Sequence, residues 1–282
     1  HIAIKYIDFI KKNTNIKVIY YGHDLHFLRE YREYELTGDI QKKRESDYWK
    51  SIEFSLMEKA VVSYYPSYVE EEAIHAIHPE YKIRAITAYV YEKFLENIDK
   101  DFEKREGLLF VGGFAHPPNA DAVLWFAKEI FPLIRQKLDV NFYVVGSKVT
   151  DEIKALEQPG SGIIVKGFVT EEELASLYAT SRIVVVPLRY GAGVKGKVVE
   201  AVYNGSAIVT TSIGSEGIPE AERVMKVADG PEAFADEVVK MYQDPAECRR
   251  MCEETQKYIR EYFSVEAAWK VIEGDFTPEK KR

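Results

Sequence analysis

Cysteine is scarce in this sequence, with two residues among 282. Cys248 and Cys252 are four positions apart, a spacing that places both on one face of a helix. A metal site would need further ligands close to them, and the neighbouring sequence offers no such His or Cys. We therefore expect both cysteines to be structural. So few cysteines indicate a reducing compartment, and we expect a cytoplasmic protein.

Long apolar runs are also missing. No stretch approaches the roughly 20 residues that a membrane-spanning helix needs, and no signal-peptide pattern is visible. The 38 basic and 46 acidic residues give a net charge of −8, which argues against nucleic acid as a partner. Hydrophobic residues make up 46% and aromatic residues 13% of the chain, which is enough to bury a core.

Short apolar runs alternate with amphipathic stretches along the chain. We predict strands over residues 18–21, 60–63, 83–86, 108–111, 141–145, 163–166, 183–186, 207–210 and 223–227. We predict helices over residues 40–59, 68–77, 119–138, 151–157, 171–179 and 197–204, with further helices closing the chain. This alternation predicts an α/β fold with parallel sheets covered on both faces. Ligands of such sheets bind beyond the carboxyl ends of the strands.

A charged, irregular stretch over residues 87–107 divides this pattern in two. We predict an N-terminal domain over residues 1–100 and a C-terminal domain over residues 101–265. A closing helix and tail are expected over residues 266–282.

The stretch from Pro187 to Glu200 carries the strongest chemical signal. Three glycines precede or open a predicted helix, where free backbone N–H groups and the helix dipole favour an anion. Lys195 and Lys197 add positive charge, and Lys197, Glu200 and Asn204 share one helical face. The combination fits a ligand with both phosphate and hydroxyl groups, such as a nucleotide-diphosphate sugar. The alternative is a simple turn with solvated lysines.

The same stretch contains a literal G-x-G-x-x-G at Gly191, Gly193 and Gly196, followed by Glu216. In a dinucleotide-binding fold the first glycine directly follows a strand near the start of the fold. Here residues 187–190 intervene and several strands precede. A dehydrogenase is therefore the weaker interpretation.

Several motifs occur together over residues 108–272. The most specific is Gly-x-Gly-x-Lys-x-Lys-Val-x-Glu-Ala over residues 191–201, followed by residues 205–218. Further matching segments are residues 110–119, 129–132, 167–169 and 185–187. Together these motifs resemble the retaining glycosyltransferases of group 1, the family 4 type. The resemblance implies a GT-B fold, in which two Rossmann-like domains with parallel sheets face each other across a cleft.

The resemblance also implies a chemistry. The donor would be a nucleotide-sugar, UDP- or GDP-linked, and the enzyme would need no cofactor and no metal. The acceptor would be a glycan or a lipid-linked molecule, as in bacterial cell-surface glycan synthesis. Without a transmembrane segment, such an enzyme could still touch the inner face of the membrane.

Individual residues acquire roles by this resemblance. Glu200 would bond the ribose hydroxyls, and Lys197 would neutralise the diphosphate as a catalytic group. Backbone amides near Gly193 would hold the phosphates or the sugar, and Phe168 would border the base. The residues expected to bind the donor are Gly112, Gly113, Asn119, Gly167, Phe168, Gly191, Gly193, Val194, Lys195, Lys197 and Glu200.

Two positions depart from the family pattern. Many members carry a glutamate eight residues before the position of Glu200, where this chain has Ala192. Many also carry an Arg and a Lys after the first strand of the C-terminal domain, where this chain has His116 and Asn119. Backbone groups of the glycine loop are then expected to serve in place of the first glutamate.

In the N-terminal part, His23 and Asp24 follow a predicted strand. The family often has a His or His-Asp there, close to the reacting sugar carbon, so both are candidate catalytic residues. The alternative is an Asp that caps a helix beside an ordinary surface His. Only about a hundred residues precede the C-terminal domain, and we expect the N-terminal domain to be incomplete.

Two other functions stay open. A UDP-sugar 2-epimerase of the same fold would need carboxylates and histidines placed for proton transfer at carbon 2. A non-catalytic protein that binds nucleotide-sugars is compatible with Ala192 and with an incomplete first domain.

Overall fold

Two parallel β-sheets organise the computed structural model, which describes residues 2–276. The first sheet has three strands in the order β1-β2-β3, and the second has six in the order β6-β5-β4-β7-β8-β9. All strand pairs are parallel. The predicted α/β class is therefore confirmed, and the first sheet is half the size of the second.

The first unit carries its three strands near residues 20, 63 and 84. The strands are β1 (Ile19–Tyr21), β2 (Val62–Tyr65) and β3 (Ile83–Ala85). The helices are α1 (Ile2–Asn13), α2 (His26–Thr37), α3 (Ile40–Lys59) and α4 (Tyr68–His75). A core of its own, which includes Leu56, Tyr65 and Ile74, packs these elements together.

The second unit contains the remaining elements. Its strands are β4 (Leu108–Val111), β5 (Phe142–Val145), β6 (Ile163–Gly167), β7 (Ile183–Val186), β8 (Ile208–Thr210) and β9 (Lys226–Val227). The helices are α5 (Pro117–Trp125), α6 (Phe131–Arg135), α7 (Asp151–Lys154), α8 (Glu171–Thr180), α9 (Gly196–Tyr203), α10 (Ser212–Ser215), α11 (Pro231–Tyr242), α12 (Pro245–Tyr262) and α13 (Val265–Phe276). A π-helical turn (Phe126–Ile130) and a 3₁₀ turn (Ala221–Arg223) complete the unit.

The helix predicted over residues 119–138 is interrupted. It begins earlier, at Pro117, and passes through the π-helical turn before α6. Pro132 lacks a backbone N–H, so the regular pattern of bonds cannot continue through it. Instead the N–H of Phe131 donates to the carbonyl of Phe126.

Two predicted strands are displaced or shortened. β2 begins at Val62 rather than at residue 60, because Ala60 still donates its N–H to carbonyls of α3. The strand predicted over residues 223–227 pairs with β8 only at Lys226 and Val227. Val224 and Met225 are buried without joining the sheet. The pattern did not predict α1 and α2.

The last helix returns to the first unit. Asp275 on α13 accepts hydrogen bonds from the Tyr64 hydroxyl and the Lys82 ammonium, both at 2.5 Å, and pairs with Arg84 at 3.0 Å. The predicted tail from residue 277 onward lies outside the described residues. Within residues 2–276, no helix combines the length and apolar character needed to cross a bilayer.

Both cysteines lie on α12 and are buried among core residues. Burial raises the pKa of the Cys248 thiol to about 12, so the thiol stays protonated and unreactive at neutral pH. This placement agrees with the structural role expected for them.

The core of the second unit contains an aromatic cluster. Phe126 is fully buried and its ring contacts those of Phe131, Phe142 and Phe234. The cluster joins the π-helical turn to β5 and α11. Large aromatic side chains in such positions dominate core packing.

We expect Phe126→Ala to lower the free energy of unfolding by about 3–5 kcal/mol, because it removes a buried ring and leaves a cavity. Phe9, which is 68% exposed on α1, is the matched control, and Phe9→Ala should change stability by less than about 1 kcal/mol. Denaturant melts of both variants provide the comparison. A loss below about 1 kcal/mol for Phe126→Ala would show that the aromatic cluster contributes little to the stability of the core.

Candidate functional site

A groove lies at the carboxyl ends of β4, β5 and β6, with α9 forming its opposite wall. Its volume is about 390 Å³. The lining residues are Val111, Gly112, Gly113, Asn119, Val145, Gly146, Ser147, Phe168, Val169, Leu174, Lys197 and Glu200. Six of the eleven residues predicted to bind the donor are among them. The parallel order of the strands accounts for this, since their carboxyl ends open on one edge.

Gly112 makes room for the two polar side chains at the centre of the groove. A Cβ at this position would lie 3.0 Å from the Asn119 side-chain nitrogen and 3.1 Å from Cε of Lys197. Any larger residue would push these groups out of place. The turn after β4 is therefore fitted to the side chains it faces.

Lys197 projects from the first turn of α9 toward Asn119. Its Nζ donates a hydrogen bond to Asn119 Oδ1 at 2.7 Å, and Asn119 Nδ2 donates to the Gly113 carbonyl at 2.7 Å. None of the carboxylates in residues 2–276 forms an ion pair with Lys197. Burial lowers the pKa of this lysine to about 8, with a contribution from the charge of Lys195. An ammonium group without a counter-ion beside a helix start is suited to bind an anion.

The start of α9 is held by a residue from the preceding linker. A Cβ at Gly196 would lie 2.6 Å from the Tyr89 hydroxyl oxygen. Burial raises the pKa of Tyr89, while a hydrogen bond from the Gly196 backbone lowers it. The tyrosine thus fixes the first turn of the helix that carries Lys197.

Glu200 lies one turn further along α9 and lines the same groove. It also borders a second cavity of about 460 Å³, lined by Tyr89, Tyr91, Gly196, Glu200, Tyr203 and Asn204. Burial raises the pKa of Glu200 from its ordinary value. A half-buried carboxylate beside an anion site can accept hydrogen bonds from ligand hydroxyls.

Phe168 belongs to the groove, whereas the glycine loop (residues 191–195) lies outside it. Phe168 lines the groove and is 81% exposed, a position in which a ring can stack on a planar ligand. Gly167 ends β6 with a φ of +67° but is not part of the lining. Gly191, Gly193, Val194 and Lys195 also lie outside the groove, at the seam between the two units.

The seam contains a contact that the sequence did not predict. Arg32 on α2 donates to the Gly191 carbonyl at 2.8 Å and pairs with Glu216 at 2.6 Å. Lys195 donates to the Gly193 carbonyl and lies 3.8 Å from Glu216 Oε1. Burial lowers the pKa of Lys195 to about 8. The glycine loop is therefore fixed from both sides, and nothing local in the sequence around Arg32 signals this long-range contact.

His23 and Asp24 follow β1 and reach the same seam. Asp24 accepts a hydrogen bond from Arg29 and has its Oδ1 3.2 Å from His26 Nδ1. The helix-capping alternative for Asp24 is not what the structure shows. Leu25 is the N-cap of α2, and Glu53 accepts the first N–H groups, from His26 at 2.9 Å and from Phe27 at 3.3 Å.

His116, at the N-cap of α5, is a further candidate for a residue of the site. Burial lowers its pKa, and the positive charges of Lys197 and Arg29 lower it further. The imidazole is therefore neutral at physiological pH and lies close enough to Lys197 to sense its charge. In the described part of the chain, no group of three or more His, Cys, Asp or Glu side chains is placed to hold a metal ion.

Comparison with known proteins bears on the family and the fold. Residues 105–244 match the family model described as Glycosyl transferases group 1. A Klebsiella pneumoniae protein described as an uncharacterized 44.6 kDa protein in the cps region is 32% identical over 116 residues. These residues cover 39% of this chain and 30% of that protein. This match therefore spans less than a third of the curated relative.

Solved structures share the fold at low sequence identity. Sucrose-phosphate synthase from Thermosynechococcus elongatus has a TM-score of 0.74 at 17% identity, over 95% of this chain and 69% of that one. S. aureus TarM, solved with UDP, has a TM-score of 0.71 at 14% identity, over 95% and 53%. An α,α-trehalose-phosphate synthase from Burkholderia xenovorans has a TM-score of 0.69 at 11% identity, over 98% and 71%. The fold is therefore GT-B.

We expect Lys197→Gln to weaken the binding of inorganic pyrophosphate by roughly 10- to 100-fold, because a charge-assisted hydrogen bond of about 1.5–3 kcal/mol is lost. Lys166, an exposed lysine at the end of β6, is the control, and Lys166→Gln should leave the affinity within about twofold. Titration calorimetry measures both. Equal affinities for Lys197→Gln and the wild type would place the anion site elsewhere.

Proposed function

We propose that this chain, whose residues 105–244 belong to the glycosyl transferases group 1 family, transfers a sugar from a nucleotide-sugar to an acceptor. One observation carries the proposal. Lys197 lacks a carboxylate partner among residues 2–276, and Glu200 lines the same groove one helical turn away. The pair offers a cation for a diphosphate and an acceptor for ribose hydroxyls in one groove.

The proposed chemistry is departure of the nucleoside diphosphate with retention at the sugar carbon. Negative charge develops on the diphosphate as the sugar–oxygen bond breaks. Lys197 and the start of α9 are positioned to stabilise that charge. Fixed charges and dipoles in a partly buried site stabilise such a transition state more than water does. We propose that these groups replace a divalent metal.

A uridine nucleotide is the first candidate for the donor, with guanosine as the second. The TarM neighbour was solved with UDP, and so was the pneumococcal O-GlcNAc transferase GtfA, at 16% identity and a TM-score of 0.62. In this chain the base would lie against Phe168, Val169 and Leu174, the apolar end of the groove.

The proposed acceptor is a glycan or a lipid-linked molecule. The Klebsiella pneumoniae relative is described by its cps region, which favours a role in cell-surface glycan synthesis at the inner face of the membrane. The first sheet has only three strands among the described residues. Because the groove lies wholly in the second unit, we expect this chain to bind nucleotide better than it transfers sugar.

The epimerase alternative is separated from the transferase by experiment, because acid–base groups lie near the proposed sugar position. Proton transfer at carbon 2 needs several acid–base groups around the sugar. The groove lining supplies only Glu200, but His23, Asp24 and Glu70 lie beside the glycine loop. Incubation with UDP-N-acetylglucosamine distinguishes the two functions, since release of UDP supports a transferase and formation of an epimer supports an epimerase.

The ribose contact has a direct test. We expect Glu200→Ala to weaken UDP or GDP binding by roughly 10- to 100-fold, because the hydroxyls lose a charged acceptor. Glu172→Ala, at an exposed position on α8, is the control. Calorimetric titration of both variants gives the comparison. Unchanged nucleotide affinity in Glu200→Ala would favour a non-catalytic binding protein with a different ligand site.

Nucleotide affinity should fall as the pH rises through about 8. Burial lowers the pKa of Lys197 to about 8, so its ammonium is charged below that pH and neutral above it. Phosphate loses its last proton near pH 6, so the charge on the diphosphate is constant above pH 7. We expect UDP affinity to be level near pH 7 and to drop by up to about tenfold per pH unit above 8. A flat profile would mean that the ammonium is not required.

A further inference from the structure

The seam between the two units contains a buried carboxyl group that the proposed function leaves unused. Glu70 lies in the first turn of α4 and is 1% exposed. One of its oxygens, Oε2, accepts a hydrogen bond from the Ser67 hydroxyl. The other, Oε1, is buried and has no hydrogen-bond partner within residues 2–276. Buried carboxyl oxygens normally have a donor, so Oε1 is open to one from a ligand.

The glycine loop lies directly against this oxygen. Gly193 has a φ of +75°, and a Cβ there would lie 2.9 Å from Glu70 Oε1. The same point lies 3.4 Å from Cβ of Asp24 and 3.6 Å from the His23 carbonyl oxygen. Glu70 therefore faces the same side of the loop as the candidate catalytic pair. Glycine at this position lets the loop approach Glu70 closely, because a side chain would clash with Oε1.

A second carboxyl oxygen shares the seam. Glu216 Oε1 is also buried without a hydrogen-bond partner among the described residues, and Lys195 Nζ lies 3.8 Å from it. The charges of Lys195 and Glu216 both reach Glu70. With Arg32, which pairs with Glu216 at 2.6 Å, the seam presents two carboxyl groups and two cationic groups to the same loop.

This combination of carboxyl and cationic groups indicates which class of ligand the seam can bind. A phosphate group only accepts hydrogen bonds at neutral pH, so it cannot donate one to the Glu70 oxygen that lacks a donor. A sugar hydroxyl both donates and accepts, so it can donate to a carboxyl oxygen while accepting from an ammonium group. Polyhydroxyl groups fit the seam, and anions fit the groove around Lys197.

We propose that Glu70 Oε1 accepts a hydrogen bond from a hydroxyl group of the transferred sugar, so that the first unit takes part in selecting the donor. The inference rests on the proposed function, because a sugar on a diphosphate at the start of α9 lies next to the glycine loop. Glu70 then supplies, from the opposite side of the loop, a carboxyl group that Ala192 cannot.

The experiment compares nucleotide with nucleotide-sugar. In Glu70→Gln, the remaining side-chain oxygen can still accept from Ser67, while an NH₂ group replaces Oε1. We expect this variant to bind the preferred donor among UDP-glucose, UDP-N-acetylglucosamine and GDP-mannose about tenfold more weakly. A loss of this size is at the upper end of what one hydrogen bond contributes. Its affinity for UDP or GDP alone should stay within about twofold.

Glu72→Gln is the matched control, since Glu72 is exposed on the same helix. It should leave all affinities unchanged. A donor that lacks the recognised hydroxyl should bind the wild type and Glu70→Gln equally, which identifies the hydroxyl.

Two outcomes overturn the inference while the proposed function stands. One is unchanged nucleotide-sugar affinity in Glu70→Gln. The other is a parallel loss for nucleotide and nucleotide-sugar, which would mean that Glu70 only shapes the loop. If the wild type binds neither UDP nor GDP, the proposed function fails, and this inference fails with it.

Discussion

A buried ammonium group without a neighbouring carboxylate is the constraint around which the site is built. Lys197 donates a hydrogen bond to a neutral partner, Asn119, which in turn donates to the Gly113 carbonyl. Burial without a counter-ion is costly for a cation and lowers its pKa. A bound anion would supply the missing counter-charge and remove that cost. Relief of the cost would therefore contribute to the binding affinity. The site is in this sense organised for its ligand before the ligand arrives.

The fold makes this arrangement possible because a parallel sheet gathers the ends of its strands. The turns after β4, β5 and β6 meet the start of α9 at one edge. The buried hydrophobic strands fix the positions of these turns, and the aromatic cluster around Phe126 holds the sheet against its helices. The polar side chains of the groove thus depend on apolar contacts elsewhere in the unit.

The sequence predicted the second unit well because its signals are local. Buried strands such as β4 and β7 are short apolar runs, and α8, predicted over residues 171–179, begins at a capping box of Thr170 and Glu173. The parts that escaped prediction depend on contacts between distant residues. The ion pair of Arg32 with Glu216 and the approach of Glu70 to Gly193 join α2 and α4 to loops more than a hundred positions later. The hydrophobic periodicity of either segment gives no indication of such a contact.

The groove and the seam offer different chemical groups to a ligand. Lys197 and Lys195 are two positions apart, yet one faces an amide and the other a carboxylate. The first environment holds no carboxylate partner among residues 2–276, whereas the second places Glu216 Oε1 3.8 Å from the ammonium. A strand-to-helix loop can therefore present a phosphate-binding surface on one side and a hydroxyl-binding surface on the other. A nucleotide-sugar has a phosphate on one side of the bond that breaks and a sugar with hydroxyl groups on the other. The change of partner between neighbouring lysines is thus the feature that matches the loop to this class of ligand.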